Sequence, residues 1–319
     1  MKMVNKVETE VKKNKIVKYI FPTILVILLF AIVLNAEWVT NKIADLLEKD
    51  PVVVIGNKNI YSKNEDFEFV QESDNFKPYS YQGLLNIYFS VINNGWEQFT
   101  FYCPSEYTEC LEDVKTISEN EVLLTHINNY THPYNNYNNI KTTFYESGEV
   151  TIEIDRLYNE EDIRRIDEKI NALLPTIING ITDDEEKILA IHDWLVNNTK
   201  YDQQKNDTGY SPYRSSIAYG AFFEGYALCG GYSDAMALFL TEIGIKNYKV
   251  ASDSHVWNAV YINNEWLHLD ATWDDPVSKD GKDNIWHKYF LIPTSKFKEL
   301  DKPTETDHIF DKSVYLEMK

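Results

Sequence analysis

The feature that most constrains the fold of this chain is a predicted β-hairpin centred on Asn263-Asn264. Apolar and polar residues alternate on both sides of this pair, and asparagine tolerates the positive φ that a two-residue hairpin turn requires. The residues that flank such a turn pair with each other, and this register places Asp270 opposite Trp257. His255 and Asp270 are then diagonal neighbours on one face, within side-chain reach. The sequence therefore predicts an imidazole beside a carboxylate.

The same register assigns each of the other polar residues of the hairpin to one of its two faces. Asn258 lies on the opposite face and is a poor candidate for orienting His255. His268 shares the face of Asp270 but lies nearer the turn, so we expect a structural role for it.

A thiol precedes the hairpin at Cys229, where a glycine-rich segment leads into an amphipathic run that ends at Gly244. This pattern predicts a buried helix with Cys229 at its N-terminus. The partial positive charge and free amides of that terminus favour a thiolate and can bind an oxyanion. A buried structural cysteine is the alternative, but Gly230-Gly231 leave space beside the thiol for a substrate backbone.

Cys229, His255 and Asp270 together are the parts of a covalent acyl-transfer site. We expect His255 to take the thiol proton, and Asp270 to orient the imidazole and stabilise its charged form. The thiolate then attacks a carboxamide or peptide carbonyl to give a thioester. Water or an amine resolves it, and the sequence does not choose between these acceptors.

Short motifs surround these three residues: Ile191-His192-Asp193-Trp194-Leu195, Tyr201-Asp202, Tyr219-Gly220-Ala221, His255-Val256-Trp257-Asn258, Trp266-Leu267-His268-Leu269-Asp270-Ala271-Thr272-Trp273-Asp274-Asp275-Pro276 and Tyr289-Phe290-Leu291. In order and spacing, residues 185–292 resemble the bacterial transglutaminase-like domain of the papain-like thiol enzymes. The resemblance implies an α+β fold in which the nucleophile helix packs on an antiparallel sheet. It assigns nucleophile, base and third member to the three residues above. Gly230 and Ser233 depart from the usual pattern, which affects substrate preference rather than the triad.

Other residues near the site have smaller expected roles. His192 lies within a predicted helix and is expected to be structural, while Asp274-Asp275 is expected to be a turn. One acidic turn is weak evidence for calcium, so we expect neither a metal nor a cofactor. Ordinary packing is the alternative for the two tyrosines among the candidates for the oxyanion hole or pocket. Those candidates are Tyr219, Tyr226, Gly230 and Trp257.

The net charge of the chain limits the classes of partner that it can bind. It has 31 basic and 50 acidic residues, a formal net charge of −19 at pH 7. Such a field repels polyanions, which argues against a nucleic-acid partner. It favours basic or amine-bearing substrates, with plain solubility as the alternative.

A basic N-terminus precedes an apolar run at residues 16–34 that is nearly long enough to span a bilayer. The lysines before the run place the N-terminus inside and the body outside the cytoplasm. We expect an uncleaved signal-anchor at 16–36. The alternative is a signal peptide cleaved after Ala36, which would give a secreted protein.

The cysteines suit an extracytoplasmic location. Cys103 and Cys110, seven positions apart in a loop-like stretch, are candidates for a disulfide, with two free thiols as the alternative. If they pair, Cys229 is an odd thiol outside the cell, which requires a chemical explanation.

The whole chain divides into five predicted parts. They are a basic cytoplasmic tail at 1–15, a transmembrane signal-anchor at 16–36, a juxtamembrane helix and stalk at 37–78, a small α/β domain at 79–158 and a transglutaminase-like catalytic domain at 159–319. A short strand is predicted at 52–55 and one long helix at 111–130. A capping box at Thr182 and Glu185 predicts the start of a second helix in the catalytic domain.

Two functions of different classes fit these patterns. The first is a membrane-anchored thiol enzyme acting on amide bonds of proteins or peptides, as a peptidase, an amidase or a protein cross-linking enzyme. Its location alone suggests cell-wall peptides as substrates. The second is a catalytically silent binding or scaffolding module of the cell envelope. Disulfide exchange is a weaker option, because Cys229 has no neighbouring cysteine.

Overall fold

The computed structural model describes residues 52–275 and 285–319, a mixed α/β architecture. From Val53 onward these residues belong to one compact unit. The predicted cytoplasmic tail and signal-anchor, and most of the juxtamembrane segment, lie outside the described residues. Within the described part, no helix has the length and apolar character needed to cross a membrane.

The first half of the described chain contains three α-helices, a three-stranded sheet and a 3-10 turn at Pro133–Asn135. The helices and strands are α1 (Tyr81–Asn93), β1 (Gln98–Tyr102), α2 (Cys110–Ser118), α3 (Glu121–Asn129), β2 (Tyr137–Phe144) and β3 (Glu149–Arg156).

The second half carries the predicted site. Its elements are α4 (Glu160–Ile177), α5 (Asp184–Asn198), β4 (Lys200–Tyr201), α6 (Gln203–Thr208), a π-helical turn (Gly220–Glu224), β5 (Tyr226–Ala227), α7 (Cys229–Glu242), β6 (Asn247–Ala251), β7 (Val256–Ile262), β8 (Glu265–Leu269) and α8 (Thr294–Leu300).

Local capping explains where the helices differ from the sequence prediction. The single helix predicted at 111–130 is wrong: α2 and α3 are separate, because the Asn120 side chain accepts the Leu123 amide at 3.0 Å and starts a new helix. The cap predicted at Thr182 is wrong by one residue, since Asp183 caps α5 through the Glu186 amide. The strand predicted at 52–55 is absent, as these residues have no regular structure.

The antiparallel sheet of the second half has the order β6-β7-β8, and its hairpin has the predicted register. Asn263 and Asn264 adopt φ values of 54° and 66°. Ile262 therefore pairs with Glu265, and Asn258 with Leu269. The hairpin prediction is confirmed, because it depends on a two-residue turn and on alternation, both local properties of the sequence.

This sheet lies between two hydrophobic clusters. One face of β7, with Trp257 and Ala259, contributes to a cluster shared with α1, α2 and α3. The other face, with Val260 and Ile262, contributes to a cluster shared with α4, α5 and α7. Helix α7 thus packs on an antiparallel sheet, as the family resemblance implied.

The first turn of α7 is packed tightly against the preceding loop. A Cβ atom built on Gly231 would lie 2.5 Å from the Ser215 carbonyl oxygen and 3.0 Å from that of Ile217. The same Ser215 oxygen accepts the Leu228 amide at 2.7 Å. Glycine is therefore required here for close backbone approach, and the loop fixes the start of the helix.

Candidate active site

Cys229 is the first residue of α7, and its side chain is half-buried. The preceding residue, Leu228, is the N-cap and provides no side-chain hydrogen bond to the helix. The first-turn amides of a helix have no partner within the helix, so they remain available near the thiol. Tyr201 lies close by: burial and the neighbouring Cys229 raise the pKa of its hydroxyl to about 12.

His255 immediately precedes β7 and is held by the end of β6. Its amide donates to the Ser252 hydroxyl at 3.1 Å, and its carbonyl accepts the Ser252 amide at 3.0 Å. The side chain is buried, and its Nε2 lies 2.6 Å from Oδ2 of Asp270. Burial would lower the pKa of His255, but Asp270 and the adjacent Cys229 thiol raise it to about 10. The imidazole therefore favours its charged form beside the thiol.

Asp270 directly follows β8 and is buried. Its Oδ1 accepts the backbone amides of Thr272 and Trp273 at 2.9 and 3.1 Å. Its Oδ2 accepts from His255 and from His308. Burial would raise the pKa of Asp270, but these two imidazoles hold it well below the usual range for aspartate. The carboxylate is thus ionised and fixed in orientation by four donors.

His308 is a residue of the site that the sequence analysis missed. It lies 38 positions beyond Asp270 on the C-terminal segment, and its side chain is buried. No motif in that segment distinguishes it from the other histidines. Its place beside Asp270 depends on the return of the C-terminal segment to the sheet, where Ser252 forms an isolated β-bridge with Phe310.

The pocket candidates proposed from the sequence differ in their surroundings. Trp257 is 1% exposed, and its indole N–H donates to Nδ1 of His268 at 3.0 Å, so it neither lines an open pocket nor donates to an oxyanion. Arg165 donates to the Tyr219 hydroxyl, and the guanidinium of Arg214 lies 4.3 Å from the centre of that tyrosine ring.

Two other candidates lie in the chain next to the thiol. The half-buried Tyr226 ring stacks on Tyr213 with ring centres 4.1 Å apart. Gly230 follows Cys229, and a Cβ there would meet the Ser216 oxygen at 2.8 Å. Both residues therefore shape the loop around the thiol.

The two histidines expected to be structural are buried and hydrogen-bonded. His268 accepts from Trp257 and lies 2.9 Å from the Thr294 hydroxyl through its Nε2. His192 has its Nδ1 3.0 Å from Oδ1 of Asp193. The Asp274-Asp275 pair lies in a turn, and the Asp274 carboxylate accepts the Lys288 amide at 2.8 Å.

Among the described residues, two groups place three metal-ligating atoms within 4.8 Å of one another. One group is His192, Asp193 and His287, in which Oδ1 of Asp193 lies 3.0 Å from Nδ1 of His192 and 2.7 Å from Nε2 of His287. The other comprises His255, Asp270 and His308, which are buried and already joined by hydrogen bonds.

The two remaining cysteines are bonded to each other. Cys103 and Cys110 form a disulfide, and Cys229 is the free cysteine of the three. This pairing corresponds to the first of the two alternatives left open by the sequence.

Helix α7, the hairpin and the residues that join them fall within one stretch of chain that matches a known family. A model described as the Transglutaminase-like superfamily matches residues 171–271. This part of the chain is a transglutaminase-like domain. The match covers about a third of the protein and includes Cys229, His255 and Asp270. The resemblance inferred from the motifs is confirmed.

A comparison with solved structures also gives partial matches. One is a TGase, with 15% identity, a TM-score of 0.34 and coverage of 46% of this chain and 47% of that chain. Another is a candidate cysteine protease from Cytophaga hutchinsonii, with 16% identity, a TM-score of 0.27 and coverage of 42% and 61%. A third is a candidate protease from Parabacteroides distasonis, with 12% identity, a TM-score of 0.26 and coverage of 42% and 36%. The chain thus spans less than two thirds of each of these structures. No curated protein matches it significantly.

Proposed function

We propose that this protein is a thiol enzyme that transfers or hydrolyses acyl groups at amide bonds of protein or peptide substrates. The observation that carries the proposal is the arrangement of one free thiol, one raised-pKa imidazole and one buried carboxylate. Cys229 begins a helix, His255 lies against it, and Asp270 holds the far nitrogen of that imidazole at 2.6 Å. The thiol is the half-exposed member, so a substrate reaches the nucleophile first.

The proposed reaction has two stages. The proton of Cys229 passes to His255, and the thiolate attacks the amide carbonyl carbon while the first-turn amides of α7 stabilise the oxyanion. The C–N bond then breaks, the imidazolium gives its proton to the leaving amine, and a thioester remains. A water or an amine loses its proton to His255, attacks the thioester and releases the thiolate. Throughout, Asp270 keeps the imidazole oriented and stabilises its charge.

The proposal includes a location outside the cytoplasm, with the N-terminal apolar run as a membrane anchor and envelope proteins or cell-wall peptides as substrates. Two observations support it. The first is the basic and then apolar N-terminal sequence. The second is the Cys103–Cys110 disulfide, a bond that persists in oxidising compartments.

Alkylation of the full-length, unreduced protein by iodoacetamide tests the thiolate–imidazolium pair, because Cys229 is the single free thiol. We expect rapid labelling at pH 6, well below the free-thiol pKa of about 8.5. The rate at this pH should fall by about tenfold or more in His255→Ala, because the thiol then loses its proton acceptor.

Two control variants test whether the label is on Cys229 and whether its rate depends specifically on His255. Cys229→Ser should remove the label, and His287→Ala should leave the rate unchanged, since His287 is a half-exposed histidine of the same domain. Slow labelling that rises only near pH 8.5, with the same profile in His255→Ala, would contradict the enzyme proposal. That result would instead favour a binding or scaffolding module.

A second assay separates the two acceptors. A glutamine-containing peptide is incubated with a primary amine, and the products are analysed by mass spectrometry. An amine adduct indicates acyl transfer, whereas cleavage or deamidation without an adduct indicates hydrolysis. Cys229→Ser should abolish either product.

A further inference from the structure

His308 lies between two carboxylates at the closed side of the proposed triad. Its Nε2 is 3.1 Å from Oδ2 of Asp270, and its Nδ1 is 3.0 Å from Oδ2 of Asp301. The side chain is 1% exposed. The ring stacks on Phe297, with centres 4.2 Å apart and planes 7° apart, and more loosely on Tyr289. Packing therefore fixes the plane of the imidazole, and both nitrogens point at oxygen atoms.

The hydrogen bonds determine how many protons this ring carries. An ionised carboxylate only accepts hydrogen bonds, so each nitrogen that faces one must bear a hydrogen. Asp270 already accepts two backbone amides through Oδ1, and Asp301 accepts the Tyr289 hydroxyl through its own Oδ1 at 2.9 Å. Both carboxylates are thus surrounded by donors. A doubly protonated, positively charged His308 satisfies both of them.

We propose that His308 is a positioning residue for the proposed triad: with both ring nitrogens as hydrogen-bond donors, it shares Oδ2 of Asp270 with His255 and is itself oriented by Asp301. This inference rests on the proposed function for its catalytic meaning. The arrangement extends the chain of interacting groups from three residues to five, in the order Cys229, His255, Asp270, His308 and Asp301.

The charge of His308 has two consequences for His255. It fixes Oδ2 of Asp270 from a second direction, so the carboxylate cannot turn away when His255 gains or loses a proton. It also places a positive charge beside the imidazolium, with ring centres 5.7 Å apart. This charge opposes the effect of Asp270 and makes His255 a better proton donor to the leaving group than it would be beside an unbalanced carboxylate.

The other titratable groups around His308 fit a positive charge at this position. His255 comes from the β6–β7 connection, Asp270 and His268 from the end of β8, Tyr289 from the segment before α8, and Asp301 from the end of α8. Burial and then the charge of His308 lower the pKa of His268 to about 3, so that ring stays neutral. The imidazole of His255 is thus surrounded by two carboxylates, the charged His308 and the neutral His268.

Asp301→Asn tests the charge with little change of shape. The asparagine oxygen can still accept the Tyr289 hydroxyl, while its amide donates to Nδ1 of His308. That nitrogen must then be unprotonated, so the ring becomes neutral and keeps its bond to Asp270. Glu299→Gln removes the same charge from an exposed position on α8 and serves as the matched control.

Nitrogen-15 NMR of the histidine rings in the full-length protein measures both the number of hydrogens on the His308 ring and the pH at which His255 titrates. Neither measurement requires a substrate. In the wild type, we expect both ring nitrogens of His308 to carry a hydrogen while Asp270 and Asp301 are ionised. In Asp301→Asn, one should lose its proton, and the pH at which His255 titrates should rise by about one unit, because a neighbouring positive charge is gone. Glu299→Gln should change neither signal.

Two results would overturn this inference: a His308 ring with a single proton in the wild type, or a His255 titration that is the same in Asp301→Asn. Failure of the proposed function is seen separately, as slow, His255-independent alkylation of Cys229. The two failures are therefore distinguishable, because the NMR signals do not depend on the reactivity of the thiol.

Discussion

At the scale of single residues, the site combines accessible and enclosed groups. The nucleophile candidate Cys229 is half-buried, whereas the side chains of His255 and Asp270 are at most 5% exposed. An ion pair removed from water interacts more strongly than one at the surface, but it also leaves an expensive uncompensated charge if one member is lost. The triad should therefore influence both reactivity and stability.

The raised pKa of His255 predicts a loss of stability at alkaline pH. Its folded pKa of about 10 lies above the value of about 6.5 for an unfolded histidine. The protonated ring therefore stabilises the fold fully below pH 6.5, and this contribution is lost as the pH rises towards 10. We expect about 2–5 kcal/mol of the free energy of unfolding to disappear over this range. Urea unfolding at several pH values measures it.

The control for this prediction is His255→Asn, whose unfolding free energy should vary much less between pH 6.5 and 10. Both proteins should carry Cys229→Ala so that titration of the thiol does not contribute. Asp270 then raises the pKa of His255 without the thiol, so the expected loss lies at the lower end of the range. An equal pH dependence in the two proteins would contradict the raised pKa of His255.

At the scale of secondary-structure elements, a buried ion pair holds α7 to the sheet. Asp234 of α7 accepts from Lys249 of β6 at 2.7 Å, and its other oxygen accepts the Tyr158 hydroxyl at 2.7 Å. The Asp234 and Lys249 side chains are 3% and 9% exposed. The Lys249 bond joins α7 to β6, the strand that pairs with the hairpin next to His255.

Removal of one partner should therefore destabilise the protein strongly. We expect Asp234→Ala to lower the free energy of unfolding by about 3–5 kcal/mol, because Lys249 becomes a buried charge without a counter-ion. Glu153→Ala is the matched control: it breaks an ion pair with Lys141 that is about half exposed, so the loss of stability should be much smaller. Equal losses in urea unfolding would contradict this assignment.

At the scale of the whole molecule, one hydrophobic cluster joins regions that are far apart in sequence. It includes Leu84 and Ile87 of α1, Tyr248 and Val250 of β6, and Tyr315 near the C-terminus. Tyr315 also accepts from the Asn129 side chain at 2.8 Å. The division into a small domain at 79–158 and a catalytic domain at 159–319 stays a prediction, although the two regions share this cluster. We infer that they unfold together.

The disulfide permits a test at this scale, because it closes a short loop at the start of α2. Cys103→Ala/Cys110→Ala should lower the free energy of unfolding by about 2–3 kcal/mol, through the greater freedom of the unfolded chain. A single cooperative transition should remain, and the alkylation rate of Cys229 should not change. Calorimetry and the iodoacetamide assay measure these quantities.

Reduction of the wild-type disulfide is the companion measurement, since it removes the bond without removing the side chains. If neither change affects stability, the bond does not constrain the unfolded chain as expected. Two separate unfolding transitions would instead show that the shared cluster does not couple the two regions.

The parts of the fold predicted correctly are those fixed by local physical rules. Asn263-Asn264 determined the turn and hence the register of the hairpin, and Gly244, with φ of 77°, ended the helix that begins at Cys229. Helix boundaries were predicted less accurately, because two adjacent residues can compete as caps, as Thr182 and Asp183 do. The predicted signal-anchor is not tested, since it lies outside the described residues.

The sequence by itself determined the helix with the thiol, the hairpin with the imidazole and carboxylate, and the order in which they occur. Only the tertiary structure decided what surrounds them: His308 beside Asp270, Lys249 beside Asp234, and a Trp257 indole turned to His268 instead of to a pocket. The physical reason is the sequence separation over which each kind of interaction acts. Turns, caps and alternation act between residues a few positions apart, whereas buried charges find their partners only after distant segments have packed together.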